Sequence, residues 1–159
     1  MREFDRSEQL ARAGIQWTES EPEHFSPEAR AKMLLAYADI AFARPEYPRA
    51  RALYGRIAAA KEFEGTRSKI GAEFQIAAVD RVTRHYAEAT KRLEKLMERD
   101  DPDVRTEGHY QMALVLYDQQ QYVASLEQLE RVFVNNATHP DARILEGKVN
   151  LQIKRLERA

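Results

Sequence analysis

One spacing occurs three times along the chain and limits its fold more than any other feature. An Ala is followed twelve residues later by Ala or Ser, and four residues after that by a large apolar residue. The sets are Ala38–Ala50–Tyr54, Ala77–Ala89–Leu93 and Ala113–Ser125–Leu129. A tyrosine stands three places before each second small residue, at Tyr47, Tyr86 and Tyr122, and these recur at intervals of 39 and 36 residues. Periods of that length belong to stacked helix-pair units. One such unit cannot bury its apolar face alone, so units stack, and the usual work of the stack is binding.

Punctuation along the chain supports helices throughout. Residues 4–18 read as an N-terminal helix with Leu10, Ala13, Gly14 and Trp17 at i, i+3, i+4, i+7 spacing, and the acidic stretch 18–24 reads as a loop. Ser26-Pro27-Glu28 is a helix start: Ser caps free N–H groups, Pro fits the first helical position, and Glu favours the positive helix end. Helices 28–43 and 47–61, 67–84 and 86–99, and 104–118 and 121–135 then form pairs. The repeats thus span 28–61, 67–99 and 104–135, within a single domain over 1–159. Linkers at 44–46, 62–65, 100–103 and 136–140 are short enough for antiparallel neighbours. A last helix, 141–157, places Leu145, Val149, Ile153 and Leu156 on one face. No segment alternates with period two, so the expected class is all-α.

Composition removes several function classes. The 25 basic and 26 acidic residues leave a net charge of −1, and no long basic block exists. A phosphate-neutralising footprint is missing, so nucleic acid is not an expected partner. Without Cys there is no disulfide, thiolate metal site or Cys nucleophile. The longest apolar stretches, such as 33–38, fall far short of a bilayer span, so no direct membrane insertion is expected. Met1 is followed by Arg-Glu-Phe-Asp rather than the apolar core of a signal peptide. The compartment stays open.

These units resemble the tetratricopeptide repeat family, whose signature sets a small residue in the first helix, then Ala and a bulky apolar residue in the second, with Pro after it. The likeness covers residues 28–135, is clearest over 110–133, and is extended by the last helix, where Gly147 takes the small position. It implies antiparallel helix pairs in a right-handed α-solenoid; Sel1-like and other helical repeats are alternatives. The sequence departs at the position usually Trp, which is Leu34, Glu73 and His109, and at the aromatic near the first helix's end, which is Ala41, Asp80 and Leu116. The closing Pro is replaced by Glu62 in the first unit and slips to Pro102 and Pro140 in the others.

Chemistry-bearing residues do not assemble into a catalytic pattern. His24, His85, His109 and His139 lack the i,i+3 or i,i+4 partners of a helical metal site. There is no Gly-x-Ser-x-Gly elbow, no phosphate-cradling Gly-rich loop and no dinucleotide fingerprint. The acids at Glu19, Glu21 and Glu23, and at Asp100, Asp101 and Asp103, fall in linkers where they serve as helix caps. Neither enzyme activity nor a metal or cofactor is expected.

The resemblance implies an inner groove lined by the first helix of each pair. Carried over, its positions are Lys32, Leu35, Asp39 and Phe42; Gly71, Phe74, Ala78 and Arg81; and Glu107, Tyr110, Leu114 and Tyr117. The Lys and Asn with which some members clamp a carboxylate tail are absent, since those positions read Leu35/Asp39, Phe74/Ala78 and Tyr110/Leu114. The expected function is a non-catalytic scaffold for a protein or peptide segment, as a piece of a larger assembly factor. A spacer with an empty groove is the alternative, in which the aromatics only pack between repeats. Ile144 and Leu151 lie off the stripe of the last helix, so weak self-association through residues 141–159 is also expected.

Overall fold

The computed structural model describes residues 2–158, with side chains from residue 6 onward. They form eight α-helices and no strand among the described residues: α1 (Arg2–Ser20), α2 (Pro27–Ala43), α3 (Tyr47–Ala59), α4 (Arg67–Val82), α5 (Tyr86–Met97), α6 (Pro102–Asp118), α7 (Tyr122–Asn135) and α8 (Pro140–Leu156). Short 3-10 turns cover Pro22–His24 and Lys61–Phe63. Helix starts follow the sequence signals. Ser26 accepts the Ala29 N–H, Thr66 that of Lys69, Asp101 those of Asp103 and Val104, and the His139 ring that of Ala142. Each cap satisfies a donor that the first turn leaves unbonded.

The differences are local. α1 runs on to Ser20, so the expected loop 18–24 is largely helix and 3-10 turn. α3 stops at Ala59, and the linker behind it carries Phe63, which is buried against the core. Phe63 gains more from burial than from continuing the helix into solvent.

The chain divides into two compact units, Met1–Thr83 and Arg84–Ala159. In the first, Ala31, Ala38, Ala50, Tyr54, Ile57, Phe63, Ala72, Ile76 and Val79 make one core under α2, α3 and α4. In the second, Ala113, Leu129, Val132, Ala142, Leu145 and Val149 join α6, α7 and α8. All nine residues of the repeated spacing are at most 2% exposed. Their role is visible in the second unit, where the buried Ser125 hydroxyl donates to the Ala113 carbonyl at 2.8 Å across the α6–α7 pair. Ala113 is completely buried, so a larger side chain there would overpack the core it shares with α7 and α8. The α5–α6 contact uses the same device: a Cβ on Gly108 would come within 2.4 Å of Met97 Cγ.

The repeated tyrosines begin the second helices, and Tyr47 and Tyr122 clip the turns before them. Tyr47 packs edge-on against Phe42, and Tyr122 tilts against Tyr117, both with ring centres 5.7 Å apart. In the α6–α7 turn, the Gln121 N–H bonds to the Leu116 carbonyl and the Gln120 N–H to that of Tyr117. This is a Schellman ending, which needs a left-handed residue, and Gln120 supplies it at φ 61°. The α2–α3 turn has the matching long bond from Glu46 N–H to the Ala41 carbonyl.

α1 is fastened differently from the rest. Its expected stripe turns largely to solvent, with Leu10 66% and Trp17 56% exposed. Its buried charged group is Glu8. Its carboxylate accepts from Arg12 at 2.8 Å, from Arg49 at 2.7 Å and from Arg44 at 2.6 Å. Arg12 and Arg49 also donate to the Tyr37 hydroxyl and lie over its ring. Hydrogen bonding to Arg49 is the largest cause holding the Glu8 carboxyl below the ordinary carboxylate range, and Arg12 adds to it against the cost of burial. Glu8 therefore stabilises the docked helix above its unfolded pKa, and that contribution is lost as pH falls through the depressed folded value.

Three outcomes follow. Ala113→Leu overpacks the α6–α7 contact and should cost about 1–3 kcal/mol in urea denaturation; an unchanged midpoint would remove the contact's assigned role. Gln120→Gly removes left-handed strain but adds freedom to the unfolded chain, for a net gain of about 0.5 kcal/mol, readable as a raised thermal midpoint. Acidification below about pH 4 should shift the emission of Trp17, the single tryptophan, before far-UV dichroism collapses. Glu8→Gln should show the shifted emission already at neutral pH. Identical emission in both proteins at every pH would mean that the carboxylate does not hold α1.

Candidate functional site

The sequence-derived strip begins on α2, where Lys32, Leu35, Asp39 and Phe42 share one helical face. Lys32 is exposed and makes no ion pair among the described residues, while Leu35 and Phe42 lean half-buried on the core of the first unit. Asp39 is exposed, yet its Oδ1 accepts the Tyr54 hydroxyl at 2.6 Å. Burial pushes the Tyr54 phenol well above its usual range, and the Asp39 hydrogen bond pushes the same way. Asp39 thus helps hold α3 against α2 as well as facing solvent.

On α4 of the same unit, a Cβ on Gly71 would sit 3.5 Å from the Leu35 side chain, so the two first helices are neighbours here. Phe74 and Ala78 are buried and Arg81 is half-buried. The α1 contacts given by side chains from residue 6 onward lie away from this strip. They run through Met33, Tyr37, Arg44 and Arg49, on other sides of α2 and α3.

In the second unit, Glu107 accepts from Gln111 at 2.7 Å, and Tyr110 packs on the His139 ring with centres 5.0 Å apart. Tyr110, Leu114 and Tyr117 are half-buried and packed against the core of that unit. Within each unit, the strip residues are therefore apolar and aromatic side chains whose inner halves serve the fold. They offer contact area, one free ammonium at Lys32 and no grouping suited to proton transfer or nucleophilic attack. Among the described residues, no three His, Asp or Glu are placed to hold a metal ion, and no helix is long and apolar enough to cross a membrane.

Polar residues at positions usually aromatic in the resembling family are matched by partners. Asp80 is buried and accepts from Arg51 of α3 at 3.1 Å. His109 shares a hydrogen bond with Gln128 of α7 at 2.9 Å. Sequence spacing gave no sign of either pairing, because 29 and 19 residues separate the partners.

Two cavities also lay beyond the sequence pattern. The first, of about 410 Å³, lies in the first unit between α1, α2, α3 and the Lys61–Phe63 turn. Ile15, Leu34, Ala59, Ala60 and Phe63 give it an apolar lining, with Arg30, Arg56, Glu19 and Glu62 also on its wall. Arg30 is bonded to Glu62 and sits over the Phe63 ring, which fixes one side of the opening. The second, of about 400 Å³, lies in the other unit and is polar, lined by Asp103, Thr106, Glu107, Asn135, Asn136 and His139 with Pro102.

No family model matches the chain, and no curated protein sequence does either. Among solved structures, the chain is similar to Bacillus thuringiensis PlcR in the crystal structure of its complex with the peptide PapR7 and DNA. The TM-score is 0.71 at 14% sequence identity, over 93% of this chain and 59% of the PlcR chain. The chain therefore spans less than two thirds of the protein it resembles. At that identity the likeness shows the fold: an all-α, tetratricopeptide-like arrangement of paired helices.

Proposed function

We propose that this chain is a tetratricopeptide-type interaction scaffold without catalytic activity, holding a segment of another protein against its first-helix faces within a larger assembly. The observation that carries this reading is the likeness of nearly the whole chain to PlcR, a protein crystallised with a bound peptide. In the first unit the half-exposed Leu35 and Phe42, with the charge of Lys32, offer a mixed apolar surface on which an amphipathic segment can dock, and in the second unit Leu114 and Tyr117 offer another. Partner choice rests on chain chemistry: a net charge of −1 favours protein over phosphate backbone. The PlcR crystal holds DNA as well as peptide, so the likeness lends no support to excluding nucleic acid.

A specific observation favours the spacer reading as runner-up: Phe74 is buried, and Tyr110, Leu114 and Tyr117 all pack on the core. One experiment separates the two. A photo-crosslinking residue at Lys32 identifies a partner, whose crosslinked segment is then titrated against the wild-type chain and against Tyr110→Ala/Tyr117→Ala. The scaffold reading expects binding to weaken by about tenfold or more, the size of effect that aromatic contact residues carry, with far-UV dichroism retained. Helicity falling in step with binding would make these residues core and leave the spacer. A labelled DNA duplex binding as tightly as the segment would overturn the protein-partner assignment.

A further inference from the structure

In the first unit α1 and α3 both lie along α2 and are bonded to each other at one end. There the Glu8 carboxylate of α1 accepts from the Arg49 guanidinium of α3 at 2.7 Å. Farther along both helices they part, and Glu19 of α1 and Arg56 of α3 line the apolar cavity of about 410 Å³. Its lining includes Ile15, Leu34 of α2 and the buried Phe63. A space of this size falls within the roughly 300–1,000 Å³ of small-molecule sites.

Four charged side chains line the cavity, and only two of them are matched within the protein. Arg30 and Glu62 bond to each other at 3.3 Å. Glu19 and Arg56 repeat the acid on α1 and the base on α3, yet neither has a hydrogen bond or ion pair among the described residues. The cavity thus carries an unmatched carboxylate from one helix and an unmatched guanidinium from another beside an apolar lining. A ligand with one charge would satisfy one group and be repelled by the other. A neutral apolar ligand would take both out of water without giving either a partner, which costs free energy. A zwitterion with an apolar body satisfies both groups and the lining together.

In a short peptide the two charges stand at opposite ends with the side chains between them, whereas an amino acid holds both on one carbon. We infer that the cavity binds an apolar peptide of dipeptide size with free ends, its ammonium at Glu19 and its carboxylate at Arg56. None of the lining residues belongs to the first-helix strip, so this site and the scaffold reading fail or hold separately. Glu19 and Arg56 are exposed, so each contact contributes no more than about fivefold in affinity. Binding is therefore weak and falls as salt rises.

Titration of the isotope-labelled whole chain with leucyl-phenylalanine, followed by amide NMR shifts, tests this. Saturable shifts should centre on Ile15, Leu34, Ala59 and Phe63. Glu19→Gln and Arg56→Gln change exposed side chains that hold no bond in the protein, so helicity should be retained. Each should weaken binding about fivefold. Blocked peptides read the orientation. N-acetylation should weaken binding to the wild type but cost Glu19→Gln little further, and C-amidation should do the same for Arg56→Gln. Glycylglycine keeps both charges without the apolar side chains and should bind roughly tenfold or more weakly. The inference is overturned if millimolar peptide gives no saturable shift, or if the shifts centre on the first-helix strip instead. It is also overturned if each blocked end and its matching variant weaken binding independently, or if glycylglycine or free phenylalanine binds as tightly as the dipeptide.

Discussion

Close approach of helix backbones is the constraint on which the other features rest. In the second unit it is set by one contact, the Ser125 hydroxyl on the Ala113 carbonyl. A buried carbonyl already engaged in a helix accepts a further bond only when the neighbouring helix lies almost against it. That distance brings Leu129 and Val132 into the same core as Leu145 and Val149. In the first unit Ala38 and Ala50 are completely buried, and Tyr54 is placed deep enough for burial to raise its phenol pKa. The turns conform to this spacing. Gln120 accepts a left-handed backbone so that α7 can reverse tightly onto α6, and Tyr122 then covers the bend with Tyr117.

Electrostatics supplies what apolar packing leaves undone. α1 exposes Leu10 and Trp17 and is joined through the Glu8 carboxylate instead, within a cage of Arg12, Arg44 and Arg49. A carboxylate removed from water is costly unless several donors replace its hydration, and here three guanidinium groups do so. Asp80 is a second buried carboxylate and receives the Arg51 guanidinium. Because Arg51 is half exposed, this pair is worth less than its geometry suggests. Such joints specify orientation more than they add stability: carboxylate and guanidinium must meet at one geometry, whereas apolar faces slide.

The surfaces left to solvent divide by chemistry. In each unit the first-helix residues are half used by the core, so these side chains are already fixed by packing. The outward faces of α1 and α8 are different, because Leu10, Trp17, Ile144 and Leu151 expose most or about half of their surface. The stripe proposed for α8 holds only in part: Leu145 and Val149 are buried and Ile153 is packed, but Leu156 is exposed.

Sequence alone determined the all-α class, the positions of the helices and the nine buried residues of the repeated spacing. Those properties are local: a cap such as Ser26 or Asp101, and a small residue at a fixed interval, act within a few turns of chain. The partner of each polar group was decided by tertiary structure. Glu8 could be assigned Arg12 from i,i+4 spacing, but Arg44 and Arg49 lie 36 and 41 residues away. The same holds for Asp80 with Arg51 and His109 with Gln128. Exposure was decided there too. The periodicity of α1 marked Leu10, Ala13, Gly14 and Trp17 as one apolar stripe, yet only packing settled that Gly14 lies beside Met33 while Leu10 and Trp17 face water. A helical period reports that a face is apolar. What covers that face depends on which helices meet, and that is fixed by contacts between residues far apart in the chain.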